Sequence, residues 1–206
     1  MPKIKLCGLS RIEDIKEANK LTPEYIGFVF YKKSKRNVSF ETAHVLKQYL
    51  LPEIKAVGVF VDEEIPFIKK LADKRIIDMI QLHGHEDNNY LAALKKEVGL
   101  PIIKAIQIDG EKSFTEKSKI CADYYLLDSG MGTGNTFDWR LAERFINSTS
   151  KGVFLAGGLD PDNVTQAINM LHPFAVDVSS GIETDGFKDF EKMRRFVKAA
   201  RRNEDD

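Results

Sequence analysis

An α/β fold is what this sequence predicts: a (β/α)₈ barrel in a single compact domain over residues 1–206. Three observations lead there. Short runs rich in Ile, Val, Leu and aromatic residues alternate with longer amphipathic stretches along the chain, and strands that alternate with helices pair in parallel because each helix returns the chain to the same end of the sheet. Eight such units fit into 206 residues, close to the lower size limit of a closed barrel with short loops. The rich glycine turns come late, where a barrel holds its phosphate site, whereas an open doubly wound sheet would place a glycine fingerprint after its first strand. Here that first turn reads Cys7-Gly8-Leu9-Ser10.

Taken in order, the expected strands are Lys3–Leu6, Tyr25–Phe30, Lys55–Phe60, Ile77–Leu82, Ile102–Ala105, Tyr124–Leu127, Gly152–Ala156 and Ala175–Val178. Helical patterns lie near Arg11–Lys20, Phe40–Tyr49, Glu64–Ala72, Asp87–Glu97, Asp138–Asn147, Asp162–Met170 and Lys188–Arg201, with Lys112–Ile120 a weaker candidate. Ser10-Arg11-Ile12-Glu13 fits a capping box, and Asp160-Pro161 offers an N-cap followed by proline at the first helical position. The segment Arg201–Asp206 reads as a solvated tail.

Composition narrows the function classes. Hydrophobic residues make up 43% and charged residues 30% of the chain, an ordinary soluble balance. Lys plus Arg equal Asp plus Glu at 31 each, so no global field draws the protein to nucleic acid or an anionic membrane, and a bound anion must be held by local groups. Cys7 and Cys121 have no framework spacing, which favours a reducing, cytoplasmic setting over a disulfide scaffold. Neither a signal-peptide core nor a membrane-spanning run is present in the sequence.

In such barrels the chemistry sits at the C-terminal ends of the strands. That rule selects Cys7, Arg36, His83, Asp128, Gly157-Gly158 and Ser179-Ser180-Gly181. The last two loops end buried strands in small residues, which let backbone N–H groups approach a phosphate; Gly157, Gly158, Ser180 and Gly181 are the candidates. Glycines in one loop alone would mean only a tight corner. Gly130–Thr136 lacks the ending of a P-loop and reads as a cover over the substrate.

Most cysteines are inert and buried, but Cys7 follows strand 1 directly, with Lys5 two residues earlier on the same face. A nearby ammonium favours the thiolate, which accepts protons. Asp177, on the strand that neighbours strand 1 in a closed barrel, is expected to pair with Lys5 and moderate that help. Asp128 ends the apolar run Tyr124–Leu127; it either caps a turn or, partly buried, stays protonated as a general acid. His83-Gly84-His85-Glu86-Asp87 packs potential metal ligands together, yet neighbouring positions converge poorly on one ion, so no metal is expected and His83 is read as a hydrogen-bond donor. The basic run Tyr31–Arg36 is a solvated loop from which Arg36 can grip a carboxylate bidentately.

These motifs occur in an order that resembles the phosphoribosylanthranilate isomerase family. The resemblance is carried by Lys5–Leu9, Gly27–Tyr31 with Ser34-Lys35-Arg36, Val57–Val61, Gln81–Gly84, Leu126–Asp128, Gly132–Gly134 with Phe137–Trp139, Leu155–Leu159 and Val176–Glu183. It implies a cofactor-free Amadori rearrangement of N-(5-phosphoribosyl)anthranilate in tryptophan biosynthesis. Cys7 is then the general base and Asp128 the general acid, Arg36 and His83 hold the anthranilate end, and the late loops hold the phosphate. The family often has proline where Lys35 stands and lysine where Asn135 stands. The neighbouring barrels of that pathway fit less well: indole-glycerol-phosphate synthase has an extension before its first strand, and the tryptophan synthase alpha subunit uses a glutamate on its second. A non-catalytic sugar-phosphate sensor would need neither Cys7 nor Asp128. The expected partner is a sugar-phosphate substrate, with no nucleic acid or membrane, for a monomer or homodimer.

Overall fold

The computed structural model describes residues 1–107, 119–128 and 139–202. Its order is β1 (Lys3–Cys7), α1 (Ile12–Leu21), β2 (Tyr25–Val29), α2 (Phe40–Tyr49), β3 (Lys55–Phe60), α3 (Ile65–Asp73), β4 (Met79–Leu82), α4 (Asn88–Glu97), β5 (Ile102–Ile106), β6 (Tyr124–Asp128), α5 (Trp139–Ser148), β7 (Val153–Ala156), α6 (Val164–Leu171) and β8 (Ala175–Val178). A 3₁₀ turn at Ser180–Ile182 follows, then the two-residue strands β9 (Glu183–Thr184) and β10 (Phe187–Lys188), and α7 (Phe190–Ala200). The eight main strands form a closed barrel in sequence order. Closure is made by β1 and β8, in a register that sets Lys5 opposite Asp177.

Alternation along each strand divides the side chains between two environments. Tyr25, Val57, Met79, Ile103, Leu126, Phe154 and Ala175 pack together as one buried cluster, while Ile4, Leu6, Ile26, Phe28, Ile80 and Leu82 join the helices in another. The helices cover the sheet with apolar stripes at helical spacing; on α7 the buried residues are Met193, Phe196, Val197 and Ala200. The opposite end of the barrel is pinned by carboxylates that precede the even strands. Glu24 accepts from the Ile4 N–H at 2.8 Å, Asp78 from Ala56 at 2.7 Å and Asp123 from Ile102 at 2.9 Å. Each satisfies an amide in the first two residues of the preceding odd strand, so this face serves stability rather than chemistry.

Local signals hold with shifts of a few residues. Strand β4 begins at Met79 rather than Ile77; Ile77 is buried among core side chains but stands outside the ladder. The acid that caps α1 is Asp14, not Glu13. Its carboxylate accepts from the Ser10 and Arg11 amides at 3.1 and 3.0 Å and pairs with the Arg11 guanidinium, whereas Glu13 is exposed. Asp160 caps a turn one step ahead of α6, accepting from Asp162 and Asn163, so the helix starts at Val164. Lys188 belongs to β10 rather than to the last helix, whose N-cap is Asp189. The weak helical pattern at Lys112–Ile120 and the glycine run at Gly130–Thr136 lie wholly or mostly outside the described residues.

Candidate active site

A cavity of about 420 Å³ opens at the C-terminal ends of the strands and is lined by Cys7, Arg36, His83, Asp128, Gly157, Gly158 and Ser180. Seven residues expected from the sequence, at six separate places in the chain, therefore meet in one space. Gly181 does not line it. A Cβ there would lie 2.0 Å from the Leu159 carbonyl, so Gly181 lets the loop after β8 pack against the loop after β7. Gly157 and Gly158 have φ of 83° and 70°, the left-handed region that glycine reaches without strain. Their backbone follows a path that a side chain would resist, and it borders the cavity.

Two further glycines make room for the reacting groups. Gly27 sits opposite Cys7 in the β1–β2 ladder, and a Cβ on it would come within 2.6 Å of Cys7 Sγ. Gly8 has φ +78°, and a Cβ there would be 2.5 Å from Cδ of Arg36. The arginine thus crosses the chain beside the thiol.

Cys7 is buried. Lys5 lies beneath it with its ammonium 2.9 Å from Asp177 Oδ2, both groups inside the barrel. This is the expected pairing. Its effect on the thiol differs from the expectation of a favoured thiolate, because the Cys7 pKa is raised. Burial is the largest influence, Asp177 adds to it, and the lowering by Lys5 and Lys188 does not compensate. Desolvation of the charged form wins over a cation already shared with a carboxylate. Lys5 itself stays an ammonium: burial opposes its charge, but Asp177 and Cys7 outweigh it and raise its pKa.

Across the cavity, His83 Nε2 stands 3.4 Å from Asp128 Oδ2, each side chain about one-third exposed. The other ring nitrogen, Nδ1, is 3.2 Å from the amide nitrogen of Gln81. An amide donor at Nδ1 leaves the ring proton on Nε2, where it faces the carboxylate. His83 is thus a neighbour of Asp128 as well as a lining residue. The other residues of its turn look elsewhere. His85 is exposed and pairs with Asp62, and Glu86 is buried against Lys104 at 2.8 Å while accepting from the amides of Asp62 and Gly84. The Lys104 ammonium also donates to the Gly84 carbonyl at 2.7 Å, so this turn is held from behind by a buried ion pair.

Sequence reading gave no role to Gln81, Glu183 or Lys188. Gln81 is buried and lines the cavity, and its Oε1, like Asp177 Oδ1, has no hydrogen-bond partner among the described residues. The signal was available: a glutamine two positions before His83 shares its inward face in an otherwise apolar strand. Glu183 and Lys188 carried no such signal, since they lie in a hairpin with no periodicity.

A profile of the family described as N-(5'-phosphoribosyl)anthranilate (PRA) isomerase matches residues 4–199. The chain belongs to this isomerase family. It is 42% identical over 207 residues to the N-(5'-phosphoribosyl)anthranilate isomerase of Clostridium acetobutylicum, covering 98% of this chain and 99% of that one. It is also similar to a crystal structure of phosphoribosyl anthranilate isomerase in complex with reduced 1-(o-carboxyphenylamino)-1-deoxyribulose 5-phosphate, at 35% identity and TM-score 0.85 over 97% of this chain and 98% of that one. A structure of monomers generated from the dimeric isomerase of Thermotoga maritima superposes with TM-score 0.86 at 35% identity, over 97% and 98% of the two chains. The isomerase family thus shares this chain's length and its barrel. No helix among the described residues is long and apolar enough to cross a membrane.

Proposed function

We infer that this chain catalyses the Amadori rearrangement of N-(5-phosphoribosyl)anthranilate to 1-(2-carboxyphenylamino)-1-deoxyribulose 5-phosphate in the cytoplasm, by general acid–base catalysis without a cofactor. The observation that carries the mechanism is that the Cys7 thiol and the Asp128 carboxyl line one cavity that also holds the two positive-φ glycines. The phosphate sits against the backbone of Gly157, Gly158 and Ser180, and the anthranilate carboxylate faces Arg36. Gln81 Oε1 and Asp177 Oδ1, buried acceptors on the cavity wall, take hydrogen bonds from sugar hydroxyls.

Asp128 protonates the furanose ring oxygen, and the lone pair of the substrate nitrogen expels that oxygen to give an iminium. The cation acidifies the C2 proton and favours the Cys7 thiolate beside it, offsetting burial. Cys7 removes the C2 proton, giving an enolamine, which becomes the ketone as a proton passes from O2 to C1. Asp128 has then lost one proton and Cys7 has gained one, so exchange with solvent resets both. Each positioned transfer contributes on the order of 10²–10⁴ in rate.

The test follows loss of phosphoribosylanthranilate fluorescence. Cys7→Ser and Asp128→Asn should each lose about 10²-fold or more in turnover while still binding the reduced product analogue. Turnover near that of the parent protein in either variant refutes its role. As a second reading, the fold also serves a dimer, the state the Thermotoga maritima relative is described as having; sedimentation equilibrium decides between monomer and homodimer.

A further inference from the structure

The loop after β2 delivers Arg36 to the cavity, but the guanidinium is gripped from the far side of the β1 end by the hairpin after β8. Arg36 Nε is 2.6 Å from Glu183 Oε1, and Nη2 is 2.7 Å from Oε2. This bidentate grip uses one edge of the planar fork and fixes its orientation. The third nitrogen, Nη1, has no hydrogen-bond partner among the described residues, and Arg36 lines the cavity.

A carboxylate so close would ordinarily cancel the guanidinium charge and weaken it toward a second anion. Here Glu183 has its own counter-ion. Lys188, with 2% of its side chain exposed, places its ammonium 2.6 Å from Glu183 Oε1 and also donates to the Ser179 carbonyl at 2.9 Å. Burial works to raise the Glu183 pKa, but the hydrogen bonds from Arg36 and Lys188 outweigh it and hold the carboxyl below the usual range. Arg36 and Lys188 therefore share one carboxylate; burial lowers the Lys188 pKa and its bond to Glu183 opposes that lowering, so Glu183 is not left to Arg36 alone, the member of the cluster that lines the pocket. Ser179 closes the network, donating from Oγ to the Cys7 carbonyl at 3.2 Å.

We propose that Glu183, neutralised by Lys188, is the positioning residue that aims Arg36 at the substrate's ring carboxylate, and so sets selectivity for a carboxylated arylamine. This rests on the assignment of Arg36 to the anthranilate end. Glu183 touches no substrate; it fixes which edge of the guanidinium is offered and leaves that edge its charge. The selectivity is built from opposite ends of the chain, at positions 36 and 183.

The experiment compares inhibition by two reduced product analogues, one with the ortho-carboxylate and one with a bare phenyl ring. The ratio of the two inhibition constants reads the carboxylate contact alone. In the parent protein the carboxylated analogue binds better, and Arg36→Met abolishes the preference. Glu183→Gln is expected to reduce the preference about tenfold, to raise KM while kcat changes little, and to add nothing further in an Arg36→Met background. Glu183→Asp, which keeps the charge but shortens the reach, should show the same loss and provides a second test should Glu183→Gln fail to fold. A preserved preference in a folded Glu183 variant overturns the positioning role while leaving Arg36 in place. A preserved preference in Arg36→Met overturns both the role of Arg36 and the inference built on it.

Discussion

Replacing Lys5 by Met removes one half of an ion pair sealed inside the barrel, with Lys5 and Asp177 at 0% and 7% side-chain exposure. At 2.9 Å and an effective dielectric near ~20, the attraction is about 6 kcal/mol. Desolvation of two ions, several kcal/mol each, offsets most of it, so the intact pair adds little net stability. Breaking it is different. Asp177 Oδ1 has no partner among the described residues, and Lys5→Met strands Oδ2 as well. Leaving an uncompensated buried charge costs about 3–5 kcal/mol, which for a chain of this size lowers Tm by roughly 6–20 °C.

The sign of the pH dependence provides an internal check. A stranded carboxylate has its folded pKa raised above the unfolded value of about 3.9. Below that value both states are protonated and no penalty remains; as pH rises the folded state alone resists ionisation, and the deficit grows. Urea denaturation of Lys5→Met should therefore show a larger loss at pH 7 than at pH 4, and Asp177→Asn in the same background should return about 2 kcal/mol or more. The variant should also move the pH midpoint for Cys7 alkylation upward, since a lowering influence on that thiol is gone. A loss under 1 kcal/mol, independent of pH and unrelieved by Asp177→Asn, together with an unmoved alkylation midpoint, refutes the account.

Other outcomes follow from the same geometry. Gly27→Ala places a methyl 2.6 Å from Cys7 Sγ and should cost on the order of 10²-fold in kcat by displacing the base; binding of the reduced product analogue, measured by calorimetry, should survive. The Cys7 pKa is raised on folding by burial above all. An acid whose folded pKa is raised makes no contribution below its unfolded value and loses stability above it. Stability should thus fall as pH passes the ordinary thiol value of 9.0, and Cys7→Ala should remove that part of the slope in chemical denaturation measured from pH 8 to 10.

The alternation of apolar runs and amphipathic stretches was enough to read the barrel, because burial of a strand or a helix face is written locally, at periods of 2 and 3.6 residues. The rule that chemistry gathers at the strand ends then picked out Cys7, Asp128, Arg36, His83 and the late glycines before any coordinates, and seven of the eight predicted site residues line the cavity. Boundaries slipped where two acids compete for one amide, as Glu13 and Asp14 do, since only the three-dimensional path of the chain decides which carboxylate reaches it.

What closure of the sheet decided is of another kind. It set Lys5 against Asp177, Arg36 against Glu183, and His83 against Asp128, partners far apart in the chain whose meeting depends on every intervening strand. It also decided the sign of the Cys7 shift. Proximity of Lys5 along the strand is a local fact and argues for a thiolate. The desolvation that prevails over it comes from the whole wall of the barrel, and a wall exists only once the first strand has paired with the last.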